Sequence, residues 1–360
     1  MKTLTVDLPG REYDIVIDPG VLDRAGEHIK ALCPRARLCA VVTDDTVGAL
    51  YGHRLTESLK KAGFAVQGLT IAPGEPSKCP DNLVGLWLEL AGMGLTRTDV
   101  VVALGGGVVG DLAGFAAATM LRGVDFIQIP TTLLAQVDSS VGGKVAIDLP
   151  SGKNLAGCFY QPKGVLMDPE TLSTLPDETF ADGMAEVIKY GAIFDANFFR
   201  FLAQRPSRDA VMADIEKVLY TCCDHKRRVV LADERDTGER MLLNFGHTLG
   251  HAYEKAGNYE RWTHGQAVAA GMVAAAGLGV RLGMTPAEVP DQIAGLCAAF
   301  GLPTAIDCTM DDYSAAIGLD KKSAGGDIHL IVLESLGRAV ARKMPKAELM
   351  GLLEVFTGAS

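Results

Sequence analysis

The chain has 360 residues, 48% of them hydrophobic and 22% charged, with a formal net charge of -10. That length exceeds what one hydrophobic core serves, so two domains are expected, and the composition excludes a disordered protein. The acidic balance excludes a general nucleic-acid binder, which needs a basic surface, while leaving room for a local basic pocket.

The opening MKTLTVDLPG has no long apolar core after its lysine, so no signal peptide is expected. Two apolar stretches read as buried elements rather than membrane spans. VVVALGGGVVGDLAGFAAATML is broken by Asp111 and five glycines, and AVAAGMVAAAGLGV is too short to cross a bilayer. The eight cysteines form no CxxC pair, which fits reduced thiols and a cytoplasmic protein, with Cys222 and Cys223 as packing residues.

YDIVID and LCAVVTDD predict strands, and DTVGALYGHRLTESLKKAG a turn and helix. AVQGLTIAP is again strand-like, PDNLVGLWLELAGMG helical, and DVVVALGG a buried strand. This βαβ alternation implies an α/β domain with a mainly parallel, Rossmann-like sheet. After about residue 170 the strand signals fade. Runs such as ETFADGMAEVIKYGAIF and GQAVAAGMVAAAGLGVRLG have helical spacing. The expected organisation is therefore an α/β nucleotide-binding domain over residues 1–169 and an all-α domain over 170–360, divided near VLMDPETLSTLP.

LGGGVVGD follows a predicted strand and opens a predicted helix, and Gly105, Gly107 and Gly110 spell GxGxxG. Glycines there let backbone N–H groups and a helix N-terminus approach a phosphate, although a glycine turn needed for packing gives the same pattern. Gly106, Gly107, Val108, Gly110 and Asp111 are assigned to the nucleotide on this reading. Asp44 ends an earlier strand, where a carboxylate suits a ribose, and PGEPSK places Gly74, Glu75 and Lys78 on another strand-end loop. The long segment PTTLLAQVDSSVGGKVAIDLPSGKN carries Thr131, Thr132, Asp138, Lys144, Lys153 and Asn154 among glycines, a setting suited to phosphate or carboxylate recognition.

In the helical half, GMAEVIKYG sets Glu186 three residues from Lys189 among apolar neighbours. A glutamate in such a run needs a partner. LNFGHTLGHAYE puts His247 and His251 on one helical face, and HGQAV adds His264. Two histidines and one carboxylate form the ligand set of a catalytic zinc with an open position. Spacing leaves open which two histidines bind, and makes the helical pair the natural first choice.

Taken together, GGGVVGDLAGF, QVDSSVGGK, GKNLAGCFYQP, AEVIKYG, LNFGHTLGHAYE and HGQAVAAGM resemble the 3-dehydroquinate synthase family, within the wider sugar-phosphate cyclases. The resemblance runs over nearly the whole chain. It implies zinc, replaceable by cobalt, on Glu186, His247 and His264, with His251 left as a substrate and proton-transfer partner. It implies bound NAD, reduced and reoxidised within each turnover, with Asp44, Gly74, Glu75, Lys78, Thr131, Thr132, Lys144 and Lys153 beside the glycine loop. The implied substrate is the sugar-acid phosphate 3-deoxy-arabino-heptulosonate 7-phosphate, which becomes 3-dehydroquinate and phosphate. Lys144, Lys189, Lys226, Arg240, Asn244 and His251 would be catalytic. Asp138 and Asn154 would line the substrate, and Lys321 or Lys322 would bind its phosphate. Arg122 would reach a partner subunit's site, implying a homodimer. Neither nucleic acid nor membrane is an expected partner. Val145, Ala146, Asp148, Asp236 and Gln266 depart from the family's usual residues, and Ala146 in place of glycine matters where φ is positive. A sibling cyclase, or a metal-dependent polyol dehydrogenase, is the alternative. A non-catalytic descendant would break the metal set, and this chain keeps it.

Overall fold

The computed structural model describes residues 1–236, 238–317 and 326–357. The first compact unit holds Met1–Leu175 with Ile215–Arg235, the second Pro176–Asp214 with Asp236–Ser360.

In the first unit the strands are β1 (Lys2–Val6), β2 (Tyr13–Ile17), β3 (Leu38–Asp44), β4 (Ala65–Ile71), β5 (Val100–Gly105), β6 (Asp125–Pro130), β7 (Lys144–Leu149), β8 (Gly152–Phe159) and β9 (Gly164–Met167). Seven of them form one sheet in the order β1-β2-β9-β6-β5-β3-β4, parallel except for β1 against β2. Every residue of β3 and β5 is buried, as expected for strands covered on both faces. Leucines of the helix Pro80–Gly92 and small residues of Gly107–Thr119 cover one face. Helices Ala25–Leu32 and His53–Lys61 cover the other. From β3 the chain first adds β4 on one side and later β5 on the other. The crevice at the carboxyl ends of β3 and β5 is therefore the topological switch point, where ligands bind in open α/β sheets.

β7 and β8 form a separate hairpin. The helix Ile215–Ala232 also belongs to this unit: Cys222 and Cys223 are fully buried, and the Cys223 thiol lies 3.2 Å from the Gln136 carbonyl. All eight cysteines are free thiols. Among the described residues, no helix is long and apolar enough to cross a membrane.

The second unit is built on three helices, Asp177–Phe194, His247–Ala256 and His264–Arg281. Every residue from Gly183 to Ile193 is buried, so the first of these is a core helix rather than an amphipathic surface one. The α/β-then-helical order holds, with one addition: β10 (Asp327–Ser335) and β11 (Arg338–Pro345) form an antiparallel hairpin within the helical unit. Its run DIHLIVLES is short and apolar, which periodicity alone does not separate from a buried helical turn.

The three helices approach to backbone contact because glycines stand at their crossings. A Cβ on Gly271 would lie 2.1 Å from the Gly246 carbonyl oxygen, and one on Gly265 2.2 Å from that of Asp182. Gly271→Ala should therefore destabilise the protein by about 2 kcal/mol through overpacking. Gly295→Ala, at an exposed helical position with no neighbour within 4 Å, should stabilise by about 0.5–1 kcal/mol. Urea denaturation of both variants checks the pair.

Candidate active site

In the second unit, Glu186 comes from the helix Asp177–Phe194, His247 from the first residue of its helix and His264 from the first residue of the next. One donor atom from each lies within 4.8 Å of the other two. Glu186 is 1% exposed; its Oε1 stands 3.4 Å from Nε2 of His247 and 3.2 Å from Nε2 of His264, while Lys189 pairs with Oε2.

The outer ring nitrogens are held too. Nδ1 of His247 lies 3.2 Å from the Phe245 carbonyl, which can only accept; a proton on Nδ1 would leave the Nε2 lone pair on the Glu186 side available to a metal. Nδ1 of His264 lies 3.7 Å from Oε1 of Glu254, a carboxylate 2% exposed. This carboxylate–histidine relay orients a metal-binding imidazole and raises its basicity. Asp182 accepts from the Gly265 N–H at 2.5 Å, and Thr263 caps the helix in a capping box with Gln266, fixing where His264 starts. Gln266, one of the departures, thus retains a structural task.

Burial first, and then the Lys189 ammonium, push His247 down to about 3. Burial also works against charge at His264, but hydrogen bonds to Glu186 and Glu254 outweigh it and hold that imidazole up to about 10. These partners thus favour a proton on His264 over one on His247. The donor set, its geometry and its oriented ring nitrogens fit a divalent metal of the zinc type, with three protein ligands and a position left for substrate.

His251 behaves differently. Its side chain is 62% exposed and its Nε2 lies 4.0 Å from Glu254, outside the three-donor group, although its ring stands edge-on to His247 with centroids 5.7 Å apart. The helical pair that spacing favours is therefore adjacent without sharing one cluster. A cleft beside His247 is lined by His251, Asn244, Thr248, His329 and Ile331. Glu254 and His329 were not singled out from sequence. Glu254 lies three residues beyond His251, a spacing that could have flagged it, whereas His329 sits on the hairpin that was missed. Arg240 is buried at 2% exposure on the turn Glu239–Asn244.

In the first unit the cofactor candidates gather at the switch point. Asp44 ends β3 and accepts from the Val47 N–H at 2.9 Å. Gly106 is the N-cap of Gly107–Thr119, and a Cβ there would meet the Thr132 methyl at 3.1 Å. Gly110 packs toward Gln128 and half-buried Val108 joins the core, so this loop also serves helix-to-sheet packing. Thr131 Oγ1, just beyond the carboxyl end of β6, is buried with no hydrogen-bond partner, a polar atom left for some further group to satisfy. These features fit a dinucleotide on the carboxyl edge of the sheet. Lys78, 4% exposed, holds Glu75 at 2.9 Å and Asp111 at 3.2 Å. Burial would depress Lys78, but Asp111 and Glu75 outweigh it and push the ammonium above its usual range. Burial raises Asp111 to about 6 against the pull of Lys78. Gly74 supplies the positive φ of 99° that turns the chain into this loop.

Buried Lys226 is held by Asp138, through the side chain at 2.9 Å and the carbonyl at 2.6 Å. Lys144 is exposed at the start of β7, Lys153 half-buried and Asn154 exposed on β8. Arg122 is exposed on a turn where Leu121 and Arg122 adopt positive φ, 52° and 67°. Ala146 lies within β7 and is not among the positive-φ residues, so it carries no strain of that kind. Lys321 and Lys322 lie outside the described residues.

Because hydrogen bonds to Glu186 and Glu254 favour a proton on His264, metal uptake at neutral pH should release up to one proton, and affinity should rise with pH. Calorimetry in buffers of different ionisation enthalpy measures this. Glu254→Gln should weaken metal affinity by about 10–100-fold and reduce the proton release.

The family model described as 3-dehydroquinate synthase N-terminal matches residues 68–182, and the C-terminal one residues 183–323. A curated 3-dehydroquinate synthase of Clostridium botulinum is 46% identical over 340 residues, covering 94% of this chain and 97% of its own. One from Streptococcus suis is 43% identical over 354 residues, covering 98% and 99%. Among solved structures, a 2-deoxy-scyllo-inosose synthase complexed with carbaglucose-6-phosphate, NAD+ and Co2+ superposes with a TM-score of 0.87 at 26% identity, covering 98% of this chain and 99% of its own. ValA, a 2-epi-5-epi-valiolone synthase from Streptomyces hygroscopicus with NAD+ and Zn2+ bound, gives 0.83 at 25%, covering 97% of each chain. The chain belongs to the 3-dehydroquinate synthase family.

Proposed function

We propose that this enzyme converts 3-deoxy-arabino-heptulosonate 7-phosphate into 3-dehydroquinate and phosphate, a step of aromatic amino acid biosynthesis, with zinc on Glu186, His247 and His264 and NAD on the carboxyl edge of the sheet. The observation that carries the reading is the cluster of buried Glu186 with half-buried His247 and His264, beside a cleft lined by His251, Asn244 and Thr248. When bound, NAD would take up and return one hydride while the metal drew charge from the substrate hydroxyls.

The chain's own residues supply orientation and proton control. His251 and Asn244 line the cleft beside His247, and exposed His251 is the group placed to exchange protons with solvent. Lys189 neutralises Glu186, and with Arg240 it supplies buried positive charge in the helical unit for an anionic substrate. Lys226, kept in place by Asp138, together with Lys144 and Asn154, supplies further donors for hydroxyls and carboxylate. Lys321 or Lys322 would hold the phosphate. Arg122, exposed on its strained turn, supports a homodimer in which it reaches the partner's site. A cytoplasmic setting fits the free thiols.

Identity weighs against a sibling cyclase: the curated dehydroquinate synthases stand at 43–46%, the sibling cyclases at 25–26%. A Sinorhizobium meliloti protein described as a probable glycerol dehydrogenase, at 16% identity, shares the fold alone.

Purified protein mixed with zinc, catalytic NAD and the heptulosonate phosphate should release stoichiometric phosphate with dehydroquinate, detected by mass spectrometry, with no net NADH and loss of activity on chelation. Turnover of a different sugar phosphate instead would assign a sibling reaction. His264→Ala should lose bound metal and turnover together, and unchanged metal content would refute that ligand. His251→Ala should keep the metal while turnover falls by about 10²–10⁴-fold.

A further inference from the structure

Asp148 is one of the departures that the reaction leaves without a task. In the β7–β8 hairpin, Ile147 pairs with Ala156 and Leu149 with Gly152, so the register shifts here: Asp148 alone stands opposite Lys153, Asn154 and Leu155, and the extra residues of the bulge lie on β8. A bulge gives up ladder hydrogen bonds and re-aims a side chain, and such features recur beside active sites. Here both parts of the residue are re-employed. The Asp148 N–H donates to the Lys78 carbonyl at 2.8 Å instead of to β8. Its Oδ1 accepts the Asn154 N–H at 2.8 Å and faces the Lys78 ammonium at 3.9 Å.

Asn154 sits at φ 56°, a left-handed conformation that a non-glycine residue keeps only when its surroundings hold it there. The side-chain hydrogen bond to its amide is from Asp148. Lys78 is fixed independently by Glu75 and Asp111, so Asp148 is tied to an anchored point rather than to another mobile loop. Desolvation raises Asp148, and its interaction with Glu75 adds to the rise, consistent with a carboxyl group held inside this cluster.

We propose that Asp148 is a positioning residue: from opposite the β8 bulge it ties the Gly152–Asn154 segment to the Lys78 anchor and so holds Asn154 in the conformation that meets the substrate. The proposal rests on the reading of Asn154 as a substrate contact. Because Glu75 and Asp111 still hold Lys78 without it, Asp148 acts on substrate binding and leaves the cofactor loop in place. A carboxamide can accept the same N–H, whereas a methyl cannot.

The test uses the full enzyme with zinc and NAD. Asp148→Ala should raise KM for the heptulosonate phosphate about tenfold, with kcat and NAD affinity within about threefold of wild type. Asp148→Asn should restore KM to within about threefold. Asn154→Ala should raise KM similarly, and the Asp148→Ala/Asn154→Ala double variant should be no worse than Asn154→Ala alone, since both changes remove one interaction. Additive losses, an unimpaired Asp148→Ala beside an impaired Asn154→Ala, or failure of Asp148→Asn to rescue would each overturn the proposal while leaving the substrate reading intact. Wild-type KM in Asn154→Ala would overturn the substrate reading of Asn154 and the proposal with it.

Discussion

The helical unit depends on burying one carboxylate. Taking an isolated ionised group out of water costs several kcal/mol, and Glu186 is almost wholly out of water. That cost is offset only because Lys189 stands one turn along the same helix and two imidazoles arrive from other helices. Their arrival in turn requires backbone-to-backbone crossings, which is why glycine stands at Gly265 and Gly271. One electrostatic demand thus links the helix composition, the crossings and the chemistry of the cluster.

The sheet unit meets a different constraint. Its core strands are apolar throughout, so polar groups concentrate at strand ends, where the order of strands reverses. Glycines at the start of Gly107–Thr119 let the helix lie close on the sheet, where a Cβ on Gly106 would press on Thr132 and one on Gly110 on Gln128.

Much of this was legible in the sequence because it depends on local pattern. The alternation of strand-like and helical runs foretold the parallel sheet, and Glu186 in an apolar run announced partners. Spacing placed His247 and His251 side by side, and their rings do neighbour each other. What spacing could not decide was which of them meets Glu186, because that is set by the crossing of helices distant in sequence. Glu254 was missed for the same reason: its role depends on His264 arriving from another helix. The β10–β11 hairpin was missed because its apolar run is too short to show a period, and His329 was lost with it. Asp148 looked like a blemish in a motif, and only the register of the hairpin reveals where its side chain goes.

The return of Ile215–Ala232 to the first unit has a consequence for dissecting the protein. This helix supplies that unit with Lys226 and with the buried Cys222 and Cys223, yet it lies in sequence between two stretches of the helical unit. Neither unit is a contiguous piece of chain. A fragment ending after Leu175 would lack the helix that covers Gln136 and secures Asp138, and a fragment beginning there would carry that helix, with its apolar face, into a unit that has no place for it. Separate expression of the halves is thus expected to yield insoluble or partly folded material, and a permuted chain that keeps 215–235 with the sheet would be the route to isolating it.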